Sequence, residues 1–83
     1  MSRLDPAVVI RAARGSDGPA LADLAELDSA RPLSGDVLVG EVDGEIVAAY
    51  APGVHAAIAD PFRPTADVVA LLELHGRRRA PRA

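Results

Sequence analysis

Apolar and polar positions along this chain fall into six stretches with two different periods. Val8-Val9-Ile10-Arg11-Ala12-Ala13 is a β-branched run after Pro6, broken by Gly15 and Ser16, and it predicts an opening strand. Leu21, Leu24, Ala25 and Leu27 then recur at helical spacing, with Asp23 and Glu26 turned the other way, which predicts an amphipathic helix. Ser16 or Asp17 is placed to cap that helix, and Pro19 sits in its first turn, where a missing N–H costs little. The helix gives way at Asp28-Ser29-Ala30-Arg31-Pro32, since Pro32 disfavours helical geometry in Arg31.

Val37 to Val42 and Glu45 to Tyr50 are two β-rich runs joined by Asp43-Gly44, the strongest short hairpin signal, because both turn positions need positive φ. After the Pro52-Gly53 turn, Val54 to Ala59 reads as a fourth strand with Val54, Ala56 and Ile58 on one face, ended by Asp60-Pro61. Thr65 is placed to cap a second helix carrying Val68, Val69, Leu71, Leu72 and His75, with Asp67 in its first turn and arginines beyond Gly76, both suited to the helix dipole. The order β-α-β-β-β-α predicts an α+β domain, a mainly antiparallel four-stranded sheet packed with two helices. It spans residues 8–76, between flexible ends at 1–7 and 77–83.

The 83 residues leave room for one domain, and a chain of this size buries only about 60% of the surface its unfolded form exposes. Apolar residues make up 49% but aromatics only 2%, so the core must be built from Ala, Val, Leu and Ile. There is no cysteine, hence no disulfide framework and no thiolate metal site. All nine basic residues are arginine, which together with the high alanine content points to a GC-rich coding sequence rather than to a mechanism.

Charge is divided along the chain. Five arginines stand against 12 acidic residues in 1–76, a net −7, whereas Arg77, Arg78, Arg79 and Arg82 give the last seven residues +4. An acidic body repels nucleic acid, so such a role would rest wholly on the tail, and an arginine run with little aromatic company reads as a solvated terminus. No apolar run approaches the ~20 residues that cross a bilayer, and the first residues lack the apolar core of a signal peptide; the expected location is the cytoplasm.

Candidate chemistry is sparse. His55 and His75 have no carboxylate or second histidine at ligand spacing, so no metal site is expected. Ser2, Ser16, Ser29 and Ser34 fall in termini, caps or loops without a base in sequence reach, so no catalytic residue is assigned.

Ile10-Arg11-Ala12-Ala13, the helix after Ser16-Asp17 and the hairpin Leu38 to Ala48 together resemble the amino-terminal half of the GCN5-related N-acetyltransferases, over roughly residues 8 to 72. That resemblance implies a loop after the fourth strand, of pattern Arg/Gln-x-x-Gly-x-Gly/Ala, whose N–H groups hold the pyrophosphate of acetyl-coenzyme A. Arg63 matches its first position; Ala66 and Val68 depart from it, and Pro64 removes one donor. The residues implied for cofactor contact are therefore Arg63, Thr65 and Ala66, in a degenerate loop. The chain stops about one helix later, without the family's remaining strands or the tyrosine that often protonates the leaving thiolate, a position Tyr50 does not match.

The expectation is a truncated, degenerate acetyltransferase-like domain that acts without catalysis as an interaction or regulatory module, with no cofactor. Its partner would be a second copy or another protein, paired along the edge strand Val54 to Ala59. The alternative is a minimal acyltransferase using acetyl-coenzyme A, with a homodimer completing the cleft.

Overall fold

The computed structural model describes residues 8–33 and 35–79. Strand β1 (Val8–Ala12) leads through a short 3-10 turn (Gly15–Asp17) into helix α1 (Gly18–Leu27). Strands β2 (Leu38–Val42), β3 (Glu45–Ala51) and β4 (Ala56–Ala59) follow, then helix α2 (Ala66–Arg79). The strands lie in the order β1-β2-β3-β4 and each neighbouring pair is antiparallel, so the fold is the α+β arrangement that the residue pattern predicts.

The β2–β3 hairpin forms where Asp-Gly demands it: Asp43 and Gly44 have φ of 53° and 88°, the left-handed pair that matches strand twist. A register slip follows, with Gly40 opposite Ala48 but Glu41 opposite Ile46, which leaves Val47 as an extra residue in β3. Val47 therefore joins Ala48 and Tyr50 on the face covered by α2, while Ile46, Ala49 and Ala51 pack on the α1 side.

Both faces of the sheet are covered. On one, Val39, Ala49 and Ile58 align across three strands beneath Leu24 and Ala25 of α1. On the other, Leu38, Ala48 and Tyr50 lie beneath Val68 and Leu72 of α2. Every residue from Val47 to Ala51 is buried, so β3 reads as a continuous apolar run without polar alternation.

Two glycines let α2 approach closely. A Cβ on Gly40 would collide with Val68 Cγ1, and one on Gly76 would stand 2.5 Å from Tyr50 Cε2 and 3.2 Å from Pro52 Cγ. Helix α2 continues through Gly76 to Arg79, where the sequence pattern places its end at Gly76, and the second contact accounts for a glycine inside the helix. The glycine serves as a packing notch within the helix.

Other elements also differ from the residue pattern. Leu27 belongs to the apolar stripe but is exposed, at the last position of α1. That helix ends at Leu27, at the break expected over residues 28–32, but through its own turn and not through Pro32: Ser29 has φ 51°, its N–H donates to the Glu26 carbonyl at 3.1 Å, and the Ala30 N–H reaches the Ala25 carbonyl at 2.8 Å. This is a Schellman ending with serine in the place of glycine. Strand β4 starts at Ala56 instead of Val54, since the Val54 and His55 N–H groups donate back to the Ala51 and Pro52 carbonyls and His55 has φ 52°. The turn after β3 thus consumes two residues of the expected edge strand.

Candidate functional site

The turn between β4 and α2 lies beside the β2–β3 hairpin. Asp60 organises it: its Oδ1 accepts the Phe62 N–H at 2.9 Å and its carbonyl accepts the Arg63 N–H at 3.3 Å, an Asx-turn that Pro61 is suited to enter. Arg63 reaches across to the hairpin, where Nη1 donates to Glu45 Oε1 at 2.6 Å. The Thr65 carbonyl accepts the Val69 N–H at 2.9 Å as the first helical bond, and Ala66 opens α2 as an exposed residue.

Arg63, Thr65 and Ala66 lie in one turn, and their surroundings are acidic. Arg63 is paired with Glu45, Asp67 occupies the first turn of α2, and Asp60 turns its carboxylate back on the loop. Pro64 contributes no N–H. A phosphate here would have to displace Glu45 from Arg63 and approach Asp67, against an unfavourable local field.

A second cluster lies on the α1 side of β1 and β2. Arg11 Nε and Nη2 donate to Glu41 Oε2 at 3.0 and 2.7 Å, and Nη1 and Nη2 donate to Asp17 Oδ2 and Oδ1 at 2.8 and 3.1 Å. Nη1 also reaches the Ala12 carbonyl at 3.1 Å. The five guanidinium donors are therefore all engaged within the fold, which makes the cluster a strut rather than a ligand site.

Asp17 does not cap α1 through its side chain. Its Oδ2 turns back to accept the Arg14 N–H at 2.7 Å, fixing the 3-10 turn that carries β1 into the helix. The Arg11 guanidinium, helped by that backbone donor, holds the Asp17 carboxyl down at about 2, and the two carboxylates push Arg11 further above its usual range. The alternation of β1 could have shown that Arg11 and Val9 share a face, but no local signal tied Arg11 to Asp17 across the turn.

His55 leaves the edge strand for the turn, where Nδ1 lies 3.4 Å from the Tyr50 hydroxyl. His75 donates from Nδ1 to the Leu71 carbonyl at 2.9 Å, an intrahelical contact. Among the described residues no group of three or more His, Asp or Glu side chains is disposed to hold a metal ion, and no helix is long and apolar enough to cross a membrane.

A cleft of about 850 Å³ opens at the other end of the sheet, between the start of α1, Leu33, residues 35–38 and the turn after β3. Arg14 and Asp36 are its charged lining residues, with Leu21, Leu33, Pro52 and Val54 supplying apolar surface. It is remote from the Arg63 turn, and no nucleophile paired with a base lines it among the described residues. Compared with known proteins, the chain matches no family model, no curated protein and no solved structure.

Proposed function

We propose that this chain is a small acetyltransferase-like domain that works without catalysis in the cytoplasm, as an interaction or regulatory module. The observation that carries the reading is the Arg63–Glu45 pair at 2.6 Å. The single side chain that fits a pyrophosphate loop is occupied by a carboxylate of the neighbouring hairpin, while the backbone around it has lost the glycines and one N–H such a loop uses. The engaged Arg11 cluster supports the same reading, since it leaves no donor for a substrate.

Titration of the nitrogen-15-labelled chain with acetyl-coenzyme A, with desulfo-coenzyme A as control, tests the proposal. Amide shifts that ignore both ligands are expected. Saturable shifts concentrated between Arg63 and Val68, abolished by Arg63→Ala, would instead make acyl transfer the better reading.

A further inference from the structure

The two edges of the sheet are unequal. The Asp60 N–H donates to the Val47 carbonyl at 2.9 Å, so by alternation Ala56, Ile58 and Asp60 turn their backbone groups into the ladder and Ala57 and Ala59 turn theirs outward. The Asp28 carboxylate, just past α1, accepts the Ala59 N–H at 3.1 Å. Among the described residues this blunts β4, a strand already shortened by the turn before it.

Among the described residues no side chain accepts the outward N–H groups of strand β1, and the one outward group engaged is the Ala12 carbonyl, which accepts Arg11 Nη1 at 3.1 Å and keeps a second lone pair. The Ala13 N–H donates to the Val37 carbonyl at 2.8 Å, so Val9, Arg11 and Ala13 face β2 while the N–H and C=O groups of Val8, Ile10 and Ala12 point away from the sheet. The strand contains no proline, lysine or bulge, Val8 and Val9 are 42% and 46% exposed, and its single charge is neutralised by Asp17 and Glu41. An open apolar edge of this kind is a template for another strand.

We propose that a second copy of this chain fills it, the two β1 strands pairing antiparallel about a two-fold axis at Ile10 and joining two four-stranded sheets into one. This names the partner of the interaction module and rests on that reading. The edge is self-complementary in this register. Ile10 meets the partner's Ile10 as a hydrogen-bonded pair, Val8 meets the partner's Ala12, and Val9 meets the partner's Arg11, so every outward residue is used and no like charges stand directly opposite. A register centred on Ala12 would run Ile10 into the partner's Arg14 at the 3-10 turn.

Light scattering and amide hydrogen exchange on the full chain, across a concentration series into the millimolar range, test this. The mass should rise from 8.6 kDa toward twice that value. The Ile10 N–H should gain at least about tenfold protection as it does so, while the Arg11 N–H, already in the ladder, stays protected throughout. Val9→Lys sets an ammonium opposite the partner's Arg11 yet beside Glu41 of its own sheet, and should abolish association with the amide spectrum of the fold retained. Val8→Pro should do the same by deleting an outward donor, whereas Ala57→Pro in β4 should leave the dimer intact. A mass that stays at 8.6 kDa at every concentration, or a dimer that survives Val9→Lys and dissociates with Ala57→Pro, would overturn the proposal. Such a failure is distinguishable from failure of the module itself, which shows as acetyl-coenzyme A binding at Arg63 whatever the mass.

Discussion

Gly76 lies against the edge of the Tyr50 ring so closely that a Cβ placed on it would stand 2.5 Å from Cε2 and 3.0 Å from Cδ2. In an exposed helix interior, replacing glycine with alanine gains about 1 kcal/mol. Here the buried ring and Pro52 leave the methyl group no space, and overpacking of this kind costs roughly 1–3 kcal/mol. Gly76→Ala should therefore destabilise the domain in urea denaturation; a raised midpoint would show that α2 can lift away from Tyr50 without loss.

Gly40 makes the matching contact at the other end of α2, where Val68 Cγ1 occupies the place of a Cβ. Gly40→Ala should cost a few kcal/mol, on the order expected for an overpacked core. Val68→Ala alone creates a void, yet in the double variant each change relieves the other. The double-mutant cycle should show a favourable coupling of about 1 kcal/mol or more, and additivity would refute the contact.

Acid should weaken the fold partly through Asp17. Its folded value of about 2 lies below its ordinary 3.8, so the ionised carboxylate favours the folded state above pH 3.8, and that contribution disappears as pH falls from 3.8 through 2. Asp17→Asn removes the titrating group. The difference in urea midpoint between the two proteins should be largest near neutral pH and shrink across this window; a constant difference would mean that Arg11 does not sense the proton.

Ser29 adopts φ 51° at the end of α1, a conformation that disfavours a side chain by roughly 1 kcal/mol. Ser29→Gly should stabilise the domain by about 0.5–1 kcal/mol, since glycine is the residue this helix ending favours. Thermal unfolding would register that as a rise of several degrees for a domain of this size.

How far these features could be read in the residue pattern depends on how local their causes are. The Asp43-Gly44 hairpin was legible because the turn imposes its own dihedrals, and both helices because periodicity marks their buried faces. The start of β4 was not: Val54 looks like a strand residue, but the turn after Pro52 closes on the Ala51 and Pro52 carbonyls and carries it away. Gly76 resembled a helix stop because its reason for being glycine is Tyr50, distant in sequence. Gly40, a glycine inside an apolar strand, was a readable sign of close approach. In the candidate site, Arg63, Thr65 and Ala66 share a turn because they are neighbours in the chain, but the Glu45 carboxylate that occupies Arg63 comes from the hairpin, and the Arg11–Asp17–Glu41 cluster joins three separate elements.

The meander has a consequence for the order in which the chain assembles. Strands β2, β3 and β4 meet through residues 43–44 and 52–55, whereas β1 reaches β2 only after the excursion through residues 13–37. Closing the longer loop costs more chain entropy, and its contacts return that cost later, so the three-strand meander is the natural nucleus and β1 the late arrival. Native-state exchange should then find Val9 and Arg11 opening at lower free energy than the inward amides of β3, by a sub-global release of one strand; equal values would mean that the sheet opens only as a whole.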